Sequence, residues 1–227
     1  MKYEIFGDNL PAVTINLETG ESIYTQSGGM SWMTDSISME TNTKGGLLKG
    51  LGRMLAGDSL FMVTYTAKAP NQSITLASSF PGEIAALNVG EKSYICQKSA
   101  FLCAEPNVNL SIEFSKKISA GLFGGEGFIL QKISGNGMAF LELDGSLKEI
   151  YLSPGEKIIV DTGSIAYFES SVTYAVETVK GFKNILFGGE GLFLTTLTGP
   201  GKVCLQTLSV PSLAQRLIPY IPVQRSN

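Results

Sequence analysis

The sequence predicts an all-β protein built as three tandem lobes, and three observations carry that expectation. The segment Leu122-Phe123-Gly124-Gly125-Glu126-Gly127 recurs 64 positions on as Leu186-Phe187-Gly188-Gly189-Glu190-Gly191, and a fainter copy, Met54-Leu55-Ala56-Gly57-Asp58-Ser59, lies 68 positions before the first. The composition favours short strands joined by tight turns: 44% of residues are apolar, 16% are charged and 26 are glycine. Apolar runs also alternate with period two, as in Leu60-Phe61-Met62-Val63-Thr64-Tyr65-Thr66, Met138-Ala139-Phe140-Leu141-Glu142-Leu143 and Val203-Cys204-Leu205-Gln206-Thr207-Leu208.

The repeat keeps its order beyond the glycine loop. Gly20-Glu21, Gly90-Glu91 and Gly155-Glu156 each follow a leucine by three residues: Leu17, Leu87 and Leu152. Val108-Asn109-Leu110-Ser111-Ile112-Glu113 matches Val172-Thr173-Tyr174-Ala175-Val176-Glu177, with Ile37-Ser38-Met39 as the weaker first copy. Gly135-Asn136-Gly137 matches Gly199-Pro200-Gly201, with Asn71-Gln72-Ser73 as the first copy. One Gly-rich hexamer arises easily by chance; several anchors in constant order do not. The expected lobes are 1–78, 79–143 and 144–210, with a tail at 211–227. A single unit of about 65–70 residues has a marginal core, so the lobes are expected to pack against one another.

Helix is scarce. Leu47, Leu48, Leu51, Met54 and Leu55 have helical spacing, but five glycines between 45 and 57 oppose it, each costing about 1 kcal/mol against alanine. A short helix is expected over Ser212-Leu213-Ala214-Gln215-Arg216-Leu217-Ile218, stopped by Pro219 and Pro222. Cys96, Cys103 and Cys204 fit no zinc spacing and read as small core residues in a reducing cytosol. The N-terminus lacks the apolar stretch of a signal peptide, and no run approaches the ~18–20 apolar residues of a membrane span. Net charge is −3 with no basic run, which argues against nucleic acid as a partner.

The chain contains no histidine, so the usual base of hydrolase triads and the commonest metal ligand are missing. No nucleotide loop or EF-hand spacing is present, and neither an enzyme nor a bound cofactor is expected. The glycines of the repeated loop permit positive φ and close backbone approach. Amides in such a loop could cradle an anion, but the acid within it would repel phosphate, which favours a structural turn. Asp58, Glu126 and Glu190 are equivalent acids, one per lobe, and are the candidate ligands for a cation such as Ca²⁺ or Mg²⁺. The plainer reading makes them solvated or amide-capping carboxylates. Met30, Trp32 and Met33 form the candidate interface cluster, and Trp32 is the only tryptophan. The equivalent positions around Cys103 and Tyr167 are apolar too, which favours a core or lobe-interface role over an exposed contact. Glu142 and Asp144, two apart on a strand, read as a wet outer face.

The run from Ser171 to Glu177, the loop Leu186 to Gly191 and the run Gly199-Pro200-Gly201-Lys202-Val203-Cys204-Leu205-Gln206-Thr207 together resemble the altered-inheritance-of-mitochondria family, a domain of unknown function. The resemblance covers nearly the whole chain, from Gly20-Glu21 to Gln206-Thr207. It implies three short β-helix or sandwich lobes similar to the tryptophan RNA-binding attenuation protein (TRAP-like), and a homotrimer forming a ring of nine lobes. Fungal relatives are linked to mitochondrial inner-membrane organisation. No amphipathic, Arg-rich transit segment is visible, so a cytoplasmic, bacterial-type member is expected. The family supplies no catalytic residues, and fold alone transfers no ligand.

These readings point to a non-enzymatic oligomeric scaffold, with a small-molecule or ion-binding module between lobes as the alternative and a membrane or protein partner left open. A closed oligomer would also protect strand edges that three lobes leave unpaired. Calorimetric titration of Ca²⁺ or Mg²⁺ against the wild type and an Asp58/Glu126/Glu190 triple alanine variant should give equal heats. A heat present in the wild type and lost in the variant would establish the ion site instead.

Overall fold

Glycine turns cut the sequence into short strands that find their partners far away in the chain. The computed structural model describes residues 1–26, 28–42, 62–116, 128–178 and 193–221. A first strand, β1 (Lys2–Phe6), precedes three successive sets of six. The first set is β2 (Ala12–Leu17), β3 (Ser22–Gln26), β4 (Trp32–Met33), β5 (Ile37–Asn42), β6 (Met62–Ala67) and β7 (Gln72–Ala77). The second is β8 (Gly82–Val89), β9 (Tyr94–Gln97), β10 (Phe101–Ala104), β11 (Val108–Lys116), β12 (Phe128–Gly135) and β13 (Gly137–Asp144). The third is β14 (Leu147–Leu152), β15 (Lys157–Asp161), β16 (Ile165–Glu169), β17 (Thr173–Thr178), β18 (Phe193–Thr198) and β19 (Gly201–Gln206). Helix α1 (Val210–Leu217) follows, its first turn closed by Ser209, whose hydroxyl accepts from Ser212 N–H at 3.3 Å.

Within each set the same four antiparallel pairings recur. The first strand pairs with the sixth (β2·β7, β8·β13, β14·β19) and the third with the sixth (β4·β7, β10·β13, β16·β19). The fifth strand takes both the second (β3·β6, β9·β12, β15·β18) and the fourth (β5·β6, β11·β12, β17·β18). Two further pairings cross from set to set: β10 lies on β3, and β16 lies on β9. Two six-stranded sheets result, in the orders β5-β6-β3-β10-β13-β8 and β11-β12-β9-β16-β19-β14. The remainder forms a four-stranded sheet, β1-β2-β7-β4, and a three-stranded sheet, β15-β18-β17. An all-β class is what the period-two runs predicted.

The turns explain the glycine anchors. Gly137 and Gly201 open β13 and β19 at φ +139° and +146°, and a Cβ at Gly137 would lie 2.7 Å from the Glu105 carboxylate. Ladder register also revises one anchor. Leu17 stands opposite Gln72 and Leu152 opposite Gly201, but in the middle set Val89, not Leu87, stands opposite Gly137. In the middle set the glycine, Gly90, therefore follows the end of the ladder by one residue where Gly20 and Gly155 follow it by three, and the shared leucine-to-glycine spacing conceals that change of register. Accordingly Glu21 and Glu156 close their turns on the N–H groups of Glu18 and Ser153, at 2.9 and 2.8 Å.

The side chains follow the pairing. β6 alternates half-buried and buried residues, whereas β12, covered on both faces, buries Phe128-Ile129-Leu130-Gln131 without a break. Cores straddle the sets. Tyr24 leaves the first set and joins the second set's cluster, its ring stacked on Phe101 at 5.5 Å and its hydroxyl donating to the Val108 carbonyl at 2.9 Å. Burial pushes that hydroxyl well above its ordinary range, so it remains a donor at neutral pH. Ile95 of the second set likewise belongs to the third set's cluster with Phe168 and Val172. Glu142 and Asp144 are half-buried rather than wet. Glu142 accepts the Ser79 N–H at 2.8 Å, and Asp144 accepts the Val210 N–H at 3.0 Å where α1 begins. The stretch with Leu47 to Leu55 lies outside the described residues.

Tyr24→Phe removes one buried hydrogen bond and orphans a carbonyl, so it should cost about 1–3 kcal/mol. Urea denaturation should show a lower midpoint with an unchanged slope; an unchanged midpoint contradicts this role for Tyr24.

Candidate assembly interface

Among the described residues, the pairing rule leaves two strands short of a partner. The outer edge of β3 is covered by β10 and that of β9 by β16. The corresponding strand of the third set, β15, has no such neighbour among the described residues. Conversely, β10 and β16 each lie on a strand of the preceding set, while β4 pairs, among the described residues, only with β7. The two edges are complementary in kind, one of each at the two ends of the chain's series.

Burial marks the same gap. Thr25, Cys96 and Val160 occupy one register position, opposite Val63, Gln131 and Thr195. Their neighbours Tyr24, Ile95 and Ile159 therefore correspond; the first two are 2% and 4% exposed, and Ile159 is 67% exposed. On the other edge, Trp32, Cys103 and Tyr167 stand opposite Thr75, Phe140 and Cys204. Cys103 and Tyr167 are 0% and 2% exposed, against 56% for Trp32. A large apolar side chain is open to water at each edge where the internal joints bury its counterpart.

The candidate cluster is thus split. Met30 and Met33 are half-buried against the first set's core, beside residues such as Ile15, Ile74 and Leu76. Trp32 points outward on β4, with the Phe6 ring 6.5 Å away, in place of the core position its apolar counterparts suggested. Asp58, Glu126 and Glu190 fall within 43–61, 117–127 and 179–192, outside the described residues. Each of those segments connects the fourth and fifth strands of its set.

A feature absent from the sequence reading fixes the start of every sixth strand. The residue after the third strand, or at its end, supplies a side-chain acceptor for the strand's second N–H. Thr34 Oγ1 takes Ser73 N–H at 3.1 Å, Glu105 takes Met138 N–H at 2.6 Å, and Glu169 takes Lys202 N–H at 3.3 Å. The Glu105/Glu169 spacing of 64 was a readable signal; threonine in the first copy hid it. Glu169 also receives Lys92 Nζ at 2.6 Å across the joint between the second and third sets, which raises the lysine's pKa. Nearby, Lys202 donates to Glu149 at 2.8 Å and Tyr167 donates to the same oxygen at 3.0 Å. The Lys202 hydrogen bond lowers the Glu149 pKa, so this exposed contact is lost only as pH falls through that lowered value.

The three thiols are buried and free. Burial pushes Cys96 up to about 12 and Cys204 up to about 11, which keeps both protonated and unreactive at neutral pH. Among the described residues no group of His, Cys, Asp or Glu is arranged to hold a metal, and no helix is long and apolar enough to cross a membrane. A thiol-specific disulfide reagent at pH 8 should leave the native thiols unreacted over minutes and release all three in denaturant. Rapid native reaction would contradict their burial.

Comparison with known proteins agrees with this architecture. The family model described as "Mitochondrial biogenesis AIM24" matches residues 3–208. An uncharacterized protein of Streptococcus pyogenes is 31% identical over 220 residues, covering 93% of this chain and 87% of the relative. A crystal structure of a Streptococcus pyogenes protein, solved by structural genomics, superposes with a TM-score of 0.79 at 28% identity, covering 97% of this chain and 99% of the other.

Proposed function

The chain belongs to the mitochondrial biogenesis AIM24 family, and from that premise we propose that it is a non-enzymatic assembly protein working as a homotrimeric ring. The observation that carries the proposal is the pair of complementary open strand edges, β4 and β15, at opposite ends of an otherwise continuous series of cross-set pairings. The three strand sets are read as copies of one lobe. Joining β15 of one copy to β4 of the next repeats the internal joint between copies.

Such a contact is head-to-tail. It uses two different surfaces and therefore generates either a closed ring or an open fibre. Closure covers every edge of this type, which is how β proteins avoid uncontrolled strand addition. The resemblance to the attenuation-protein fold supports a ring of nine lobes from three chains. The ring would act through its surface, as a scaffold for partners. The lack of histidine and the protonated thiols support a role outside catalysis. The net charge of −3 supports partners other than nucleic acid, and three unpaired thiols suit a reducing compartment such as the cytoplasm.

Light scattering on the purified full chain tests the ring. Three copies of the 24.2 kDa chain should give about 73 kDa. A mass near one chain across micromolar concentrations would sink the proposal, and polydisperse growth would indicate a fibre in its place.

A further inference from the structure

We infer that one register closes the ring: β15 of one copy lies antiparallel on β4 of the next, with Val160 opposite Trp32 and Ile159 opposite Met33. This rests on the ring proposed above and specifies its joint.

Both internal joints show the same register. Thr25 faces Cys103 and Tyr24 faces Ala104 at one; Cys96 faces Tyr167 and Ile95 faces Phe168 at the other. Trp32 and Met33 hold the positions of Cys103 and Ala104, while Val160 and Ile159 hold those of Thr25 and Tyr24. The correspondence leaves one pairing, Trp32 with Val160 and Met33 with Ile159.

The side chains fit this joint. Tyr24 enters the second set's core beside Val108, and Ile95 enters the third set's core beside Val172. Ile37 occupies the matching place in the first set, opposite Ala67 on β6, and the first set receives no residue from a preceding one. Ile159 is the unused counterpart, and in this register it would complete the apolar pocket of Met33 and Ile37. Isoleucine already fills this place at the second internal joint, as Ile95, so Ile159 needs only an apolar surround to do the same. On the opposite face Tyr167 packs edge-on against Tyr94 at 6.1 Å. Ile158 takes Tyr94's place and offers an apolar surface to the Trp32 indole.

Charge agrees with the register. Ser170 N–H donates to the Ser93 carbonyl at 2.9 Å, one step beyond the Glu169–Tyr94 pair. Asp35 and Lys157 hold those two places at the open edges, and both are exposed. The register sets them opposite one another as a cross-strand ion pair; a two-residue slip removes that match.

The Ser170–Ser93 bond also fixes parity. Hydrogen-bonded pairs alternate along an antiparallel ladder, so Tyr167–Cys96 is a non-hydrogen-bonded pair, and so is Trp32–Val160. Such pairs bring Cα atoms to about 4.5 Å, within disulfide range. The test is oxidative cross-linking of the full chain carrying Trp32→Cys and Val160→Cys. The control carries Trp32→Cys and Ile159→Cys, whose side chains point to opposite faces. The mass of each reduced variant is measured alongside by light scattering. The expected result is a covalent trimer on a non-reducing gel for the first variant and single chains for the control. A control that links equally well or better, or a first variant that stays unlinked while its mass remains near 73 kDa, overturns the register and leaves the ring standing. A wild-type mass of one chain defeats the ring itself. As a second readout, Ile159→Asp should convert the ring to folded single chains, because Ile159 is exposed within one chain; an intact ring carrying that substitution overturns the joint.

Discussion

The structure depends on one constraint: the second strand of each set finds its outer partner only in the following set. The pairings β3·β10 and β9·β16 satisfy the backbone groups that the sets cannot satisfy internally. They also carry side chains across. Because Tyr24 and Ile95 are core residues of sets to which they do not belong in sequence, no set can be removed without opening its neighbour. Stability of the chain is thereby shared along the series rather than held in three separate cores.

The same constraint produces the functional reading. A linear series built by one rule must end with one donor edge and one acceptor edge exposed. Here these are β15 and β4, and each presents a large apolar residue, Ile159 and Trp32, to water. Ion pairs brace both a joint and the inside of a set. Lys92 with Glu169 ties the second set to the third, and Glu149 with Lys202 braces β14 against β19. Chemistry needing a reactive thiol finds no support in side chains that burial holds protonated.

Much of this was legible in the sequence, for physical reasons. Strand content showed in the alternation of β6 and β13, and the turns showed in Gly137 and Gly201, where only glycine fits the backbone easily. The short C-terminal helix, expected over 212–218, forms two residues earlier, over Val210–Leu217, from the Ser209 cap. The pairing across sets was not legible, because strand partners are chosen by packing in three dimensions and leave no local trace. The two-residue change at Val89 was hidden by the conserved spacing of Leu87 and Gly90. Trp32 was expected to be covered because its counterparts are apolar; the structure puts it outside, on an edge that has no neighbour among the described residues. The acids Asp58, Glu126 and Glu190, prominent in the sequence, lie outside the described residues, and the proposed interface rests on strand edges that no motif announced.

The central claim is that β15 is an internal strand in the working protein and an edge strand only within one chain. Residue-resolved amide hydrogen exchange measures this directly. By the parity of the joint, the Ile159 N–H points away from β18 and toward a neighbouring copy, as the Ile95 N–H points toward β16. The account predicts that the Ile159 amide is protected to the same order as that of Ile95, and that protection falls on dilution to single chains. An Ile159 amide that exchanges at the rate of an open edge, at concentrations where Ile95 is fully protected, would contradict it.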